Sequence, residues 1–186
     1  MDAVTSENIA TVLLLVLSIS IHEWAHAWTT TKLGDPTADE LGRVTLNPVS
    51  HSDPVWTLLI PFLGLQFGGF FVAAGRPVPY NPGRWNRMLW GRRLQRKWGE
   101  FLVALAGPAS NLVQAFGAAV ALGMVLSSAA LPGEQINEAL RTLDPSGSSA
   151  TVIWGLERFM YINCLLAVFN LMPIAPLDGE KVLAPF

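Results

Sequence analysis

Cysteine is almost missing from this chain. Cys164 stands alone among 186 residues, which excludes an intrachain disulfide and any zinc site built from thiolates. It lies within an apolar run and is read as a packing residue. Charge is scarce too: 14% of the residues are acidic or basic, against about 25% in ordinary soluble domains. Net charge is -2, and no basic cluster alternates with aromatics, so nucleic acid is not an expected partner. The N-terminus lacks the basic region of a secretory signal, carrying Asp2 and Glu7 instead, so the apolar run behind it is read as part of the working protein.

What fills the sequence is hydrophobic residues, 51% of the total. Four segments, 9–30, 54–74, 101–128 and 151–172, each reach the roughly 20 apolar residues that a membrane span needs. The second contains Pro61, Gly64, Gly68 and Gly69. Such breaks survive at membrane depth only where protein or water covers the backbone, so this segment is expected to be a kinked span, or a re-entrant or surface hairpin. Between the first two segments, the alternation from Arg43 to Leu46 suits a short strand. The connection 75–99 holds Arg76, Arg84, Arg87, Arg92, Arg93, Arg96 and Lys97 with no acid. The connection 131–150 is polar and mildly acidic. No internal repeat is seen.

The chemistry concentrates at His22-Glu23-Trp24-Ala25-His26. On a helix, histidines four apart share a face and can grip one ion, and the intervening acid beside the first can serve as general base toward a bound water. Two buried histidines satisfied by carbonyls would be the bland alternative. Yet three ionisable groups at the end of an apolar helix cost roughly 2.5 kcal/mol or more each on insertion scales, and a bound metal offsets that cost. A catalytic zinc takes three protein ligands and keeps one position open. The third can come from His51, a loop acid or Asp178. Asp178 follows the fourth segment in an apolar, proline-stiffened stretch and is favoured over His51, with a helix N-cap as its other reading.

These pieces, with Gly42-Arg43-Val44-Thr45-Leu46-Asn47-Pro48, Arg76-Pro77-Val78-Pro79-Tyr80-Asn81-Pro82, Ala106-Gly107-Pro108-Ala109-Ser110-Asn111, and Asn170-Leu171-Met172-Pro173 through Leu177-Asp178-Gly179, make the chain resemble the site-2 protease family of zinc intramembrane metalloproteases, in its short bacterial-type form without a PDZ domain. The resemblance implies one Zn2+ per chain on His22, His26 and Asp178, with Glu23 as catalytic base. It also implies a substrate backbone held by Asn170. Asn170 has an alternative role in a helix–helix hydrogen bond, and Asn111 is read as structural. Two departures stand out. Glu180 follows Gly179 where the family often has a second glycine. Relatives usually continue with another membrane helix, whereas eight residues follow Asp178, so a chain truncated at its C-terminus is expected.

If both ligand-bearing ends meet, the first and fourth segments must end on one side, so one segment between them does not cross. The broken second segment is the natural choice. The expected fold is therefore an all-α polytopic membrane protein: one domain over 1–186, with three crossing helices carrying the site, a Pro/Gly-broken hairpin and a short β element. The basic connections then share the ligand side, which the positive-inside rule places in the cytoplasm of a bacterium, with the chain in the plasma (inner) membrane. The expected partners are a transmembrane protein substrate and the lipid bilayer. The substrate, once unwound, would add as a strand along Arg43, Val44, Thr45 and Leu46. The rivals are a catalytically inactive relative that binds membrane partners, and a metal transporter. The third segment offers almost no polar residues to line a transport path. Neither substrate identity nor oligomeric state follows from the sequence.

Overall fold

The computed structural model describes residues 3–67, 73–86, 88–89, 92–129 and 148–186. Three long helices dominate: α1 (Ala3–Leu33), α5 (Arg96–Ala129) and α6 (Ser148–Asn170). Each is long and apolar enough to cross a membrane. They pack on one another pairwise. α1 is the most enclosed of the three, with Leu15 and Ile19 buried against Ile162 of α6. The other two expose large apolar side chains such as Val113, Phe116 and Val168. Facing lipid, these need no protein cover.

Short elements fill one end. After α1, Asp35 ties down the turn. Its carboxylate accepts from the Thr37 backbone at 3.1 Å, from the Thr37 hydroxyl, and from the Asn81 backbone forty-six residues on. Two four-residue helices follow, α2 (Thr37–Glu40) and α3 (Pro48–His51). Between them the strand expected over Arg43–Leu46 does not form; the chain runs there as a bend. The reason is local. Gly42 turns the chain at φ +66°, the Arg43 N–H bonds back to the Ala38 carbonyl, and the Thr45 carbonyl and hydroxyl accept from His51 and from the Asn47 N–H. Side-chain and turn bonds of this kind compete with a ladder for the same backbone groups. A separate two-residue antiparallel ladder pairs β1 (Met88–Leu89) with β2 (Arg92–Arg93).

The proline- and glycine-rich second segment folds back. Asp53 caps it, accepting from the Val55 and Trp56 N–H groups. A π-helical turn (Pro54–Leu59) leads into α4 (Ile60–Gln66). Gln66 accepts from Asn8 near the start of α1, whereas Gly75 abuts Ile19 and Glu23. The segment thus runs along half of α1 and returns to its own base. There the Thr57 hydroxyl donates to the Ala74 carbonyl at 2.6 Å, and Ser52 bridges to Gly75. Residues 68–72 and the acidic connection 130–147 lie outside the described residues.

The last element is α7 (Asp178–Leu183). Gly179 lets it start hard against the end of α6: a Cβ there would stand 2.3 Å from the Leu171 and Met172 carbonyl oxygens. At its far end Phe186 packs edge-on to Trp98 and Phe101 of α5, with ring centroids 5.7 and 6.2 Å apart.

Candidate metal centre and cavity

His22 and His26 lie one turn apart on the buried face of α1, and Asp178 reaches them from the start of α7. The His22 Nε2 and His26 Nε2 atoms are 3.0 Å apart. Asp178 Oδ2 stands 3.2 Å from the first and 3.4 Å from the second. A tetrahedral zinc with bonds near 2.05 Å needs donors about 3.3 Å apart, so these three atoms form one face of such a polyhedron. The donor set, two imidazoles and a carboxylate, is one that zinc accepts. Space is kept for it: a Cβ at Gly107 would stand 2.4 Å from His26 Nε2 and 2.5 Å from His22 Cε1. Among the described residues this is the one group of three or more such side chains able to hold a metal.

The far nitrogens of both rings are engaged. His26 Nδ1 is 2.7 Å from the Val103 carbonyl oxygen, and His22 Nδ1 is 2.6 Å from Asn111 Oδ1. Ligand imidazoles characteristically donate their second N–H to such acceptors, which fixes ring orientation. Both acceptors belong to α5, on either side of Pro108, whose missing N–H loosens the helical ladder at this level. Asn111 in turn donates to Asn163 Oδ1 at 2.8 Å, and Asn163 donates to Ser18 Oγ at 2.9 Å. All three of these polar residues are fully buried.

Asp178 does not cap its helix. Leu177 occupies the cap position, with no side-chain hydrogen bond. His51, the alternative third ligand, is fully buried elsewhere, with Nε2 2.7 Å from the Thr45 carbonyl oxygen.

A cavity of about 650 Å³ opens on the side chains of His22, His26 and Asp178. Glu23 lines it beside His22. Two non-helical stretches contribute to its lining, one within Ala73–Tyr80 and one within Met172–Leu177. Asn170 also lines it, although its amide Nδ2 is directed back to the Leu166 carbonyl at 3.0 Å. Arg43, Val44, Thr45 and Leu46 are not part of the lining. Arg43 instead donates to the Ser50 carbonyl, Val44 packs beside Val78, and Leu46 is exposed. Sequence reasoning quoted Gly107 and Tyr80 within motifs but gave them no role, and it missed Asn163 and Lys181, whose ammonium lies 5.2 Å from the Tyr80 ring centre at the cavity wall. For Asn163 and Ser18 a signal existed, since polar residues inside apolar spans are rare enough to mark a role.

The chain is also similar to known proteins. The model of "Peptidase family M50" matches residues 10–186. The chain is 34% identical over 174 residues to "Putative zinc metalloprotease YwhC" of Bacillus subtilis, covering 92% of this chain and 66% of that protein. Two proteins of the same description, both Rip2, are similar at 29% identity in Mycolicibacterium smegmatis and 30% in Mycobacterium tuberculosis, each covering 91% of this chain and 54% of the relative. The chain thus spans between about half and two thirds of the length of these relatives. No solved structure matches it.

Proposed function

Because the chain belongs to peptidase family M50, the site-2 protease family, we propose that it is a zinc endopeptidase that cleaves transmembrane segments of other membrane proteins. The observation that carries this reading is the convergence of His22, His26 and Asp178 on one buried point, beside Glu23 and lining a mostly apolar cavity. His22, His26 and Asp178 would hold a zinc ion, which when bound would supply a Lewis acid for the scissile carbonyl and a lowered pKa for the attacking water.

The protein's own groups do the rest. Glu23 takes the proton of the attacking water and passes it to the leaving amine. A peptide bond within a helix is shielded by its own hydrogen bonds, so the substrate must be extended before attack. The two non-helical stretches, within Ala73–Tyr80 and Met172–Leu177, offer a slot whose apolar sides suit a membrane sequence. This slot takes the place assigned from sequence to Arg43–Leu46. Asn170 stands on its rim and can engage the substrate backbone through its amide oxygen. Three spans and a segment that folds back put both ligand-bearing ends on one side, which the positive-inside rule makes cytoplasmic in a bacterial plasma membrane.

The test is cleavage of a model transmembrane substrate by the purified, zinc-loaded protein in detergent or liposomes. Glu23→Gln should keep its zinc and lose at least about 100-fold in rate, the lower end of what a general base contributes. Undiminished cleavage by that variant would remove Glu23 from the reaction. Zinc binding without any cleavage by the unaltered chain would favour an inactive membrane-binding relative.

A further inference from the structure

We infer that Asn163 and Asn111 are positioning residues that fix which nitrogen of His22 carries its proton, so that the ring is set to bind metal before the metal arrives. This rests on the metalloprotease reading for its purpose but on hydrogen-bond geometry for its content.

The argument starts at the end of the network furthest from the site. Asn163 Nδ2 is 2.9 Å from the Phe159 carbonyl oxygen and 2.9 Å from Ser18 Oγ. A backbone carbonyl can only accept. The Ser18 hydroxyl proton is committed to the Leu14 carbonyl at 2.9 Å, so Ser18 Oγ accepts from Asn163. Both partners therefore demand the donor end of the Asn163 amide, and its orientation is determined twice over.

Its other end, Oδ1, must then face Asn111. Only the Asn111 NH2 can satisfy it, at 2.8 Å. That turns Asn111 Oδ1 toward His22, 2.6 Å from Nδ1. An amide oxygen cannot donate, so His22 Nδ1 must carry a hydrogen. Nε2 is left as the nitrogen that faces Asp178 and His26. The polarity of two carbonyls, Phe159 in α6 and Leu14 in α1, is thus carried through two asparagines to a ring in α1.

His26 needs no such relay, because its Nδ1 meets the Val103 carbonyl directly. Without the relay, the Asn111 amide could turn over and present its NH2 group to His22. The proton would then shift to Nε2, where Asp178 would hold it, and the lone pair required by a metal would point away from the site. Burial makes the constraint stringent. Ser18, Asn111 and Asn163 have no exposed surface, so water is not at hand to rescue a wrong orientation.

The chain has three histidines, so nitrogen NMR of 15N-histidine-labelled, metal-free protein in detergent can resolve them. The expected result is a protonated Nδ1 at His22 in the unaltered chain. In Asn163→Leu a population with bare Nδ1 should appear, and zinc affinity measured by competition should fall about 10-fold, the lower end for loss of a ligand's supporting partner. A general loss of packing would lower the melting temperature without moving the His22 proton. A bare Nδ1 in the unaltered protein overturns the inference. So does an Asn163→Leu protein whose His22 signals and zinc affinity are both unchanged. Failure of the unaltered chain to bind zinc would instead defeat the metalloprotease reading, while the His22 signal would still decide the relay.

Discussion

Gly107 illustrates how much a single missing methyl group decides. It sits in α5 with its Cα turned toward both ligand rings, and the Cβ of an alanine would stand 2.4 Å from His26 Nε2. Gly107→Ala should therefore abolish stoichiometric zinc binding, as read by metal analysis of the purified protein. Gly117, ten residues along the same helix, has nothing within 4 Å of a notional Cβ. Gly117→Ala should leave zinc unchanged and raise stability by about 0.5–1 kcal/mol, the ordinary gain of alanine over glycine in a helix. A pair of variants that behaved alike would disprove the close approach. His51 belongs to the same scale. Burial pushes its pKa down, a hydrogen bond with the Thr45 carbonyl raises it less, and the nearby Arg43 charge lowers it further. In the unfolded chain His51 titrates near pH 6.5. As the pH falls below that value the unfolded state takes up a proton that the folded state resists, so stability should decline below about pH 6.5. His51→Gln should flatten that decline in thermal melts between pH 7 and pH 5. An equally steep profile would place the acid sensitivity elsewhere.

Among the elements, the connection from Gly34 to Asp53 was the least legible. Arg43–Leu46 alternates as a strand would, yet it is held as a bend because Gly42, Asn47 and His51 saturate its backbone locally. Alternation reports which side chains face in or out; it says nothing of whether a neighbouring strand exists to accept the hydrogen bonds. The metal motif was easier to read because one helix supplies it, and helical spacing converts directly to a shared face. Asp178 was favoured by a different route, its apolar and proline-stiffened surroundings, and the topology then followed from requiring the ligand-bearing ends to meet. The asparagines behind His22 were not legible, because three helices must be docked before their amides touch. Asp35 shows what holds the short elements around the site. It has no exposed surface and joins the turn after α1 to the segment that walls the cavity, through Thr37 and Asn81. Asp35→Asn would set an NH2 group against one or more of these donors. It should cost about 1–3 kcal/mol and loosen the Tyr80 side of the cavity, measurable as a lower melting temperature and faster proteolysis near Asn81. A variant as stable as the parent would show that this carboxylate is not the tie it resembles.

At the scale of the whole molecule, the fold-back of the second segment decides the topology. α1, α5 and α6 are the three candidate crossings, so Arg84, Lys97 and Glu180 should share one face of the membrane and Glu7 should lie on the other. The native Cys164 can be replaced by Ala, and single cysteines placed at Arg84, Glu180 and Glu7 can be labelled in sealed vesicles with an impermeant reagent. The first two should react from the same side and the third from the opposite side. Labelling of position 7 from the same side as positions 84 and 180 would require the second segment to cross.

The reach of α1 past its histidines has one last consequence. His26 and His22 stand seven and eleven residues short of Leu33, so at 1.5 Å per residue the two imidazoles are sunk roughly 10–17 Å from that tip. A hydrocarbon layer is about 30 Å thick. Its middle, about 15 Å down, falls within that range. On the proposed cleavage, a captured helix would be cut near mid-depth, and neither piece would be long enough to span the layer alone.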